Sequence, residues 1–447
     1  MNKQRECGVL NKFSTSKQLI KNTKNFLQIK HYTFVDKLLG KKGVFYGWGR
    51  KKSGAKAITL AKRHGTSFVL LEDGFIRSVG LGVEGSRSFS IVEDDVGIYY
   101  DATAPSRLEE LLNSYDFAAD TALMAEARRA MDLILKYNIS KYNSAPDVDE
   151  GFCIKYGLID PRVPVGNALG CEPEDDESRL EMAGEILNRV QDDGVSSFRA
   201  TIRNLMHDDG KVKSVDSRLR GNDENAPSFR ATTRNLKRVL IIAQTAGDAS
   251  LAYGMPDGYT TDEMITAAIE ENPGARVYLK IHPDVLSGKK KSDIDIASAK
   301  ERCTIIEENV NPLSLLKHFD KVYTKTSGMG FEALLAGCEC VCFGMPFYAG
   351  WGVTDDRSVI PNSIGNLDPR VPAGNALGCK PEDDGEGHGN DVFLRRGRKL
   401  SVEEIFAAAY ILYTRYHNPY TNKPSNIFDT IETIVKMRRQ NIRELSH

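Results

Sequence analysis

The chain has little of what marks the more specialised classes of protein. Its 60 Lys and Arg residues balance 61 Asp and Glu residues, and this net charge of −1 argues against a general nucleic-acid-binding protein. No apolar run approaches the roughly 20 residues that a membrane helix needs. Residues 1–10, MNKQRECGVL, lack the apolar core of a signal peptide. We therefore expect a cytoplasmic protein that has no transmembrane segment and does not bind nucleic acid.

The eight cysteines show neither the spacing of a disulfide framework nor that of a zinc site. Cys338, Cys340 and Cys342 alternate along an apolar stretch, so a strand there would carry all three on one face. We predict reduced thiols in the core of a cytosolic protein, in preference to a metal site.

Two nearly identical passages interrupt an otherwise globular pattern. Residues 160–176 are DPRVPVGNALGCEPEDD and residues 368–384 are DPRVPAGNALGCKPEDD, whereas the sequences around the two copies are unlike each other. Their content of Pro, Gly, Asn and acidic residues favours surface loops or disorder. We interpret 157–236 and 361–394 as inserted segments that are flexible; a duplicated binding motif is the less favoured alternative.

Outside these two segments, strand and helix patterns alternate along the 447 residues, 41% of which are hydrophobic. The alternation predicts an α/β fold with two facing Rossmann-like domains, 38–156 and 237–360, each built on a parallel sheet. Ligands of such folds bind at the carboxyl ends of the strands. Residues 395–447 are expected to form helices, from Ser401 to His417 and from about Asn426, that pack across both halves.

The segment 321–351, KVYTKTSGMGFEALLAGCECVCFGMPFYAGW, predicts half of a nucleotide-binding unit. The hydroxyls of Thr326 and Ser327, together with the N–H groups of a helix that begins near Gly328, would face a phosphate. Glu332 lies within the first two turns and could accept hydrogen bonds from a ribose. The alternative is that Thr326 and Ser327 only cap the helix and that Glu332 favours its positive end.

A strand ending in LKIHPD precedes that unit. His282 could donate to a phosphate oxygen, and Pro283 would stiffen the turn that positions it. Lys280 could assist, although a lysine within a strand more often only reaches solvent. Together with the Thr-Ser-Gly turn, this histidine predicts a nucleotide-sugar site.

Asp248 follows the predicted strand 238–243 in the turn AQTAGDASLAYG. Small neighbours, Ala246 and Gly247, would let a substrate approach this carboxylate. The alternative is that Asp248 caps a helix that begins near Ser250.

Another predicted strand, 67–71, continues directly into Glu72 and Asp73, with Arg77 shortly after. Adjacent side chains on an extended chain point in opposite directions, so one carboxylate could face the cleft as an acid or base. The other would then cap a turn or pair with Arg77. Arg77 could equally bind the carboxylate of an acidic sugar.

Two loops have both a binding and a structural interpretation. GWGRKK, which contains Arg50, could meet an anionic substrate or could form a solvated helix entry. PFYAGWG places Phe347, Tyr348 and Trp351 where they could stack on a base or a sugar, or could pack in the core.

Seven motifs, in order and spacing, resemble the capsule polysaccharide β-Kdo transferases of the KpsC/LipA family. The likeness covers about 40–155, 237–360 and 395–440, which is nearly all of the chain outside the inserted segments. Members of that family carry two transferase units in tandem, whereas this chain contains one. The motifs are YGWGRKKSG, LLEDGFIRSVGLG, DDVGIYYDATAPSRLE, QTAGDAS, KIHPD, TSGMGFEALLAG and PFYAGWG.

The resemblance implies a GT-B-like glycosyltransferase that moves the acidic sugar Kdo from CMP-β-Kdo with retention of configuration. It implies a Kdo-bearing lysophospholipid as acceptor, a location at the inner face of the cytoplasmic membrane, and other capsule-assembly proteins as candidate partners. CMP leaves readily once its phosphate is held, so no cofactor or metal is expected.

The resemblance also implies roles for individual residues. Asp248 would be the nucleophile, and Glu72 or Asp73 would act as acid/base toward the acceptor hydroxyl. The implied substrate contacts are His282, Thr326 and Ser327 with the CMP phosphate, Glu332 with the ribose, and Arg77 or Arg50 with the Kdo carboxylate.

Two other hypotheses stay open on the sequence alone. A transferase that uses another nucleotide sugar would share the fold and the role of Glu332, but would give Asp248 no special role. An inactive remnant, disrupted by the inserted segments, would retain the motifs without the activity.

Overall fold

The computed structural model describes residues 11–82, 85–159, 237–255, 259–281, 293–357 and 392–445, with Val285 and Lys291 as single residues. The chain divides into two compact units, one made of 1–156 and 235–447 and the other of 157–234. All features below belong to the first unit. The predicted flexibility of 157–236 and 361–394 falls outside the described residues, apart from 157–159 and 392–394.

The described residues form thirteen strands. They are β1 (Lys12–Ser14), β2 (Lys30–His31), β3 (Val44–Trp48), β4 (Phe68–Asp73), β5 (Ser90–Asp94), β6 (Arg238–Ile242), β7 (Arg276–Lys280), β8 (Thr304–Ile306), β9 (Lys321–Thr324), β10 (Glu339–Cys342), β11 (Asp355–Asp356), β12 (Thr414–Asn418) and β13 (Lys423–Pro424).

Helices connect and cover these strands. They are α1 (Lys17–Thr23), α2 (Phe34–Leu38), α3 (Lys52–His64), α4 (Arg107–Ser114), α5 (Thr121–Tyr137), α6 (Glu150–Lys155), α7 (Ala249–Tyr253), α8 (Thr261–Glu271), α9 (Ile296–Arg302), α10 (Pro312–Leu316), α11 (Met329–Leu335), α12 (Val392–Arg395), α13 (Val402–Phe406), a π-helix (Ala407–Leu412) and α14 (Ile427–Leu445).

The second sheet is entirely parallel, with the strand order β11-β10-β9-β6-β7-β8. Counted from β6, this is the 3-2-1-4-5-6 order of a Rossmann fold. Its strands are apolar runs such as RVLII because helices cover both faces of a parallel sheet and bury its side chains. The order reverses between β6 and β9, and ligands of this fold class bind at the carboxyl ends of those two strands.

The first sheet is mixed, in the order β13-β12-β5-β4-β3-β1-β2, so the prediction of a parallel sheet in the N-terminal half was wrong. Strands β1 to β4 run parallel, but β5 is antiparallel to β4 and β12 is antiparallel to β5. The described residues of the loop between β4 and β5 contain no α-helix. A parallel neighbour needs a long crossover, usually helical, so this connection favours the antiparallel return.

Glycines allow α3 to approach β3 closely. A Cβ on Gly47 would come within 2.4 Å of the Cα of Gly54. Helix α3 then ends at Gly65, whose φ of 60° is the left-handed conformation common at helix ends. The GWGRKKSG motif is therefore explained in part by the packing of a helix on its own strand.

The predicted helix from Ser401 to His417 is wrong in its second half. Helix α13 and the π-helix end at Leu412, and β12 follows and joins the first sheet. Thr414 and Tyr416 are buried while Arg415 between them is exposed, which is the period of a strand. The helical periodicity of 401–413 concealed this change.

Helix α4 also begins later than its sequence suggests. The stretch DATAPSRLEELL predicts a helix with Pro105 in its first turn and Asp101 or Thr103 as cap. The helix begins instead at Arg107, and Ser106 accepts a hydrogen bond from the N–H of Glu109. Asp101 instead accepts hydrogen bonds from the N–H and hydroxyl of Thr103.

One apolar core joins side chains from both sheets to the π-helix. The ring of Tyr410 stacks on Phe406 at 4.4 Å and on Phe75 at 4.9 Å, and lies 5.8 Å from Phe331. The cysteines of β10 lie on the core side of their strand. All cysteines within the described part of the chain are free and buried, as predicted.

A buried ion cluster connects α4 to α12. Both oxygens of Glu109 accept hydrogen bonds, from Arg395 Nε at 2.6 Å and from Arg396 Nε at 3.0 Å. Arg396 also donates to the carbonyls of Pro346 and Ala349. The charges of all three side chains are almost entirely removed from water. Helix α12 thus belongs to the packed chain, although it begins within the predicted segment 361–394.

Candidate functional site

Polar side chains meet where β6 and β9 end, at the switch point of the second sheet. Ile242 pairs with Thr324, so Gln244 and Thr326 each lie two residues beyond the last pair. Gln244 Oε1 accepts from the N–H of Thr326 at 2.8 Å, and its Nε2 donates to Thr326 Oγ1 at 3.1 Å. Thr326 Oγ1 in turn contacts Ser250 Oγ at 3.0 Å. This network fixes the turn after β9 against the start of α7.

Asp248 is attached to this network and exposed to solvent. One oxygen, Oδ1, accepts from the N–H of Ser250 at 3.0 Å and from its hydroxyl at 3.1 Å. The helix-cap interaction is therefore present, and it uses one of the two oxygens in the hydrogen bonds observed. The role of Asp248 as nucleophile stays a prediction.

The two adjacent carboxylates at the end of β4 have different surroundings. Asp73 pairs with Arg77 at 3.0 Å. Glu72 accepts a hydrogen bond from Trp48 Nε1 at 2.8 Å, and burial raises the pKa of its carboxyl, an effect that the nearby Lys141 opposes. A raised pKa suits a general acid or base, so Glu72 is the better candidate of the two.

Tyr99 lies between the ends of the two sheets. Burial raises the pKa of its phenol to about 12; Lys141 opposes this, and the carboxylates of Glu72, Asp73 and Asp248 add to it. Asp248 comes from the second sheet and the other two carboxylates from the first. Each of the three carboxylates is therefore close enough to Tyr99 to act on its phenol.

Lys141 is a cation near Glu72 and Asp73, and no sequence motif marked it as a site residue. Burial alone would lower the pKa of Lys141, but Tyr99, Tyr142, Asp73 and Glu72 outweigh it and hold the pKa above its usual value. The backbone carbonyl of Lys141 accepts from the N–H of Arg77, which fixes the segment beside β4. Lys141 is therefore a charged group beside Glu72 and Asp73, at the end of β4.

The two predicted substrate-binding arginines already have partners. Arg50 forms a charged pair with the buried Asp101, and its guanidinium lies 5.8 Å from the ring centre of Tyr253 on α7. Arg77 pairs with Asp73 and donates to Ser78 Oγ. Either arginine would have to share or exchange its partner in order to bind a sugar carboxylate.

Glu332 is buried between the two sheets. Its carboxylate accepts hydrogen bonds from the hydroxyl of Ser140 and from the backbone N–H of Lys141. Burial raises its pKa to about 7, and these two donors oppose the rise. The structure thus directs Glu332 toward the segment after α5, and contact with a ribose stays a prediction.

Of the remaining predicted residues, the structure describes Lys280 and Ser327, and both already make hydrogen bonds within the chain. Lys280 Nζ donates to the backbone carbonyl of Glu308 at 2.8 Å, and burial lowers its pKa to about 8. The Ser327 carbonyl accepts from Tyr348 Oη at 2.6 Å, and its hydroxyl accepts from the N–H of Met329. His282 lies outside the described residues.

Tyr348 and Trp351 are core residues, exposed by 0% and 1%. Trp351 Nε1 donates to the carbonyl of Phe347, and the three rings belong to the large core cluster. The interpretation of this loop as an exposed stacking surface is wrong. Apolar rings beside glycines have the same sequence pattern in a buried turn as in a binding loop, so the sequence could not separate the two.

A measurable pH dependence follows from Glu332. Its pKa is about 7 in the folded chain and near 4.3 in an unfolded one, so the folded state holds the proton more tightly. The stabilisation is complete below the lower value and is lost as the pH rises through 7. We expect Glu332→Gln to raise the urea midpoint relative to wild type at pH 8.5, and much less at pH 5.

The matched control for that experiment is Glu301→Gln, on the exposed surface of α9. Its effect on the urea midpoint should be small and independent of pH. A wild-type stability that does not fall between pH 5 and pH 8.5 relative to Glu332→Gln would show that Glu332 is ionised throughout.

These features define an α/β protein with a Rossmann-ordered sheet and a polar cleft at its switch point. The sequence of this protein matches a family described as "Capsule polysaccharide biosynthesis protein" over residues 44–163 and 177–372. The chain belongs to this family, and the predicted KpsC/LipA membership is confirmed.

Two curated relatives show how much of a longer protein this chain represents. It is 35% identical over 398 residues to the capsule polysaccharide modification protein LipA of Neisseria meningitidis serogroup A, covering 88% of this chain and 41% of LipA. It is 30% identical over 346 residues to the lipopolysaccharide-processing protein LpsZ of Rhizobium meliloti, covering 77% of this chain and 53% of LpsZ. The chain thus spans less than half the length of LipA.

Solved structures agree with the fold. The beta Kdo 2,4 transferase of Thermosulfurimonas dismutans KpsC superimposes with a TM-score of 0.64 at 32% identity, covering 96% of this chain and 98% of that one. The beta Kdo 2,7 transferase of the same KpsC gives a TM-score of 0.53 at 23% identity, which supports the fold alone. The α/β, Rossmann-like class is confirmed; the GT-B arrangement of two domains stays a prediction. No helix among the described residues is both long and apolar enough to cross a membrane.

Proposed function

We propose that this chain is a retaining glycosyltransferase that moves Kdo from CMP-β-Kdo to a Kdo-bearing lysophospholipid in capsule polysaccharide biosynthesis. The observation that carries the proposal is that α7, which Asp248 caps, lies beside the end of β3: the guanidinium of Arg50 lies 5.8 Å from the ring centre of Tyr253 on α7. At the same end of β3, Trp48 donates to Glu72. The likeness to a KpsC beta Kdo 2,4 transferase over nearly the whole chain supports this choice of donor. The proposed fold is GT-B-like, with the nucleotide on the second sheet.

The proposed reaction has two displacements at the anomeric carbon. The free oxygen of Asp248 attacks that carbon, the bond to the CMP phosphate breaks with its electron pair on the phosphate, and a glycosyl ester forms. The acceptor hydroxyl then attacks the same carbon, Glu72 takes its proton, and the Asp248 carboxylate is released. Two inversions give overall retention. CMP leaves as an anion, so neither step needs a redox partner.

The nucleotide is assigned to the switch point between β6 and β9. We place the CMP phosphate near Thr326 and Ser327, since ligands of this strand order bind at that edge. The Gln244 network holds the Thr326 backbone in place for this role. His282 is the proposed second phosphate contact and Glu332 the proposed ribose contact.

Lys141 is the proposed partner of the Kdo carboxylate, ahead of Arg50 and Arg77. Both arginines already pair with aspartates, whereas Lys141 lies near Glu72, Asp73 and Tyr99 without forming an ion pair with any of these three described residues. Its charge also lowers the pKa of Glu72. Lys141 would therefore bind the Kdo carboxylate of the donor and also lower the pKa of Glu72, the proposed base.

The variant Lys141→Met tests this double role. We expect kcat/KM for CMP-Kdo to fall by about tenfold or more, the loss expected for a charge-assisted hydrogen bond. We also expect the acidic limb of the pH–rate profile to move to higher pH, because Glu72 loses a cation that favours its ionised form. Initial rates from pH 5 to pH 9 provide both measurements.

Lys136→Met, on the exposed surface of α5, is the matched control and should change neither quantity. If the acidic limb of the pH–rate profile is the same in Lys141→Met as in wild type, Lys141 does not influence the pKa of Glu72. A uniform loss at every pH, accompanied by a lower melting temperature, would show that the lysine only supports the fold.

The proposed function is tested by incubating the chain with CMP-Kdo and a Kdo-terminated glycolipid and detecting the product by mass spectrometry. A product heavier by one Kdo, with β configuration by NMR, is the expected result. A panel of UDP and GDP sugars run in parallel identifies a different donor. Absence of product with every donor would support the inactive remnant.

A further inference from the structure

A patch at the edge of the first sheet combines exposed apolar side chains with exposed lysines. We call it the α2 patch, and it consists of Phe34, Val35, Leu38 and Leu39, with Lys30, Lys37, Lys41 and Lys42 around them. It plays no part in the proposed transfer reaction, and the residues of the candidate site are not among its members.

The apolar part is unusually open to solvent. Phe34 is 77% exposed, Leu38 76%, Leu39 65% and Val35 59%, whereas every other exposed large hydrophobic residue in the described part of the chain lies below 50%. Residues four apart in a helix lie on the same face, so Phe34 aligns with Leu38 and Val35 with Leu39. Soluble proteins rarely leave a contiguous apolar face uncovered without a partner for it.

The patch is held in place by its own local structure. Thr33 and Asp36 form a capping box at the start of α2. Behind the helix, Tyr32 is buried and packs edge-on against Phe45 at 5.1 Å, and its hydroxyl donates to the carbonyl of Lys41. The exposed side chains are therefore presented by a fixed backbone.

The charge around the patch is of one sign. Residues 11–65 contain fourteen Lys and Arg residues and one acidic residue, Asp36, in a chain whose net charge is −1. Asp36 is buried on the inner side of α2 and pairs with Lys41 at 2.7 Å, which holds the pKa of its carboxyl well below the usual value. Within residues 11–65, the exposed side chains of α2 are therefore apolar or cationic, and no exposed side chain on its flanks is a carboxylate.

We infer that the α2 patch docks the protein on the surface of an anionic lipid bilayer. Apolar side chains on one face would enter the boundary between headgroups and acyl chains, while the surrounding lysines would meet lipid phosphates. A symmetric dimer through this face is disfavoured because it would bring two sets of lysines together. Nucleic acid would match the lysines but would leave the four apolar side chains unsatisfied. Lipid binding requires no donor sugar, so the inference stands apart from the proposed transfer.

Co-sedimentation of the full chain with vesicles tests the inference. We expect binding to vesicles of phosphatidylcholine mixed with phosphatidylglycerol, weaker binding to phosphatidylcholine alone, and a decrease as salt is added. Phe34→Ser combined with Leu38→Ser should weaken binding to the mixed vesicles by about tenfold or more. Lys37→Glu combined with Lys42→Glu should weaken binding to the anionic vesicles selectively.

Matched controls come from the same surface classes elsewhere. Ile154→Ser with Ile269→Ser removes two exposed apolar side chains, and Lys423→Glu reverses one exposed lysine. Neither control should change vesicle binding. Equal losses in patch and control variants, or no binding of the wild-type chain to anionic vesicles, would overturn the inference.

Two further results would assign the patch to another partner and overturn the inference. One is a wild-type dimer, seen by light scattering, that the Phe34→Ser and Leu38→Ser variant converts to a monomer while vesicle binding is unchanged. The other is tighter binding to single-stranded RNA than to vesicles, abolished by the lysine variant but not by the serine variant.

Discussion

Asp248→Asn is expected to lose Kdo transfer by about three orders of magnitude or more while the protein stays folded. The Asn side chain keeps an oxygen that can accept from the N–H and hydroxyl of Ser250, the two hydrogen bonds that Asp248 makes in the structure. Asn caps a helix about as well as Asp. An amide oxygen cannot form the glycosyl ester that double displacement requires. Transfer rate, melting temperature and CMP affinity by calorimetry are the three measurements.

The combination of results is what identifies the role. Lost transfer with unchanged melting temperature and unchanged CMP affinity supports a nucleophile. Near-wild-type turnover would mean that Asp248 is only the cap of α7, and the proposed mechanism would be wrong. Asp262→Asn, an exposed acid in the first turn of α8, is the matched control and should leave all three quantities unchanged.

Glu109→Ala is expected to give the largest loss of stability, about 3–5 kcal/mol, because it removes the carboxylate to which the buried Arg396 donates. Arg395 and Arg396 both donate to Glu109, and burial already lowers the pKa of Arg396. Without Glu109, Arg396 would remain deep in the core with no hydrogen bond to a carboxylate among the described residues; it would keep the two carbonyls and the ring of Trp351. Chemical denaturation followed by circular dichroism measures the loss.

Glu110→Ala, one position further along α4, provides the comparison. Glu110 pairs with Arg107 at the surface, where such pairs contribute about 0–1 kcal/mol. A similar, small loss for both variants would show that the buried cluster is not a major source of stability. Partial recovery in the double variant Glu109→Met with Arg396→Met would confirm that the unpaired charge is the cause.

Much of the second sheet could be predicted from the sequence because its signals are local. Strands β6, β7 and β9 are apolar runs bounded by turns, and their alternation with helices implies a parallel sheet. The turns after β6 and β9 could therefore be placed at one edge. That prediction brought Asp248 and Thr326 to the same site, where the structure joins them through Ser250.

The rest could not be predicted because it depends on residues far apart in the sequence. The presence of β12 is decided by its pairing with β5, which lies far away in the sequence. Lys141 follows α5 without any motif, and only the folded chain brings it near Glu72 and Tyr99. Gln244 belongs to the same QTAGDAS motif as Asp248. In a Rossmann strand order β6 and β9 are neighbours, so a residue just after β6 is expected to face the turn that contains Thr326.

Strand β12 also determines the order in which the protein can fold during its synthesis. Tyr413, immediately before this strand, donates to Asp94 on β5 from 319 residues further along the chain. At a rate of synthesis of about 5–20 residues per second, β12 is made on the order of tens of seconds after β5. An unpaired strand edge is a template for association with other chains during that time. Most strands of the first sheet are therefore made early, but the sheet is complete only when β12 has been added. A chain that is released before residue 414 would leave the edge of β5 unpaired.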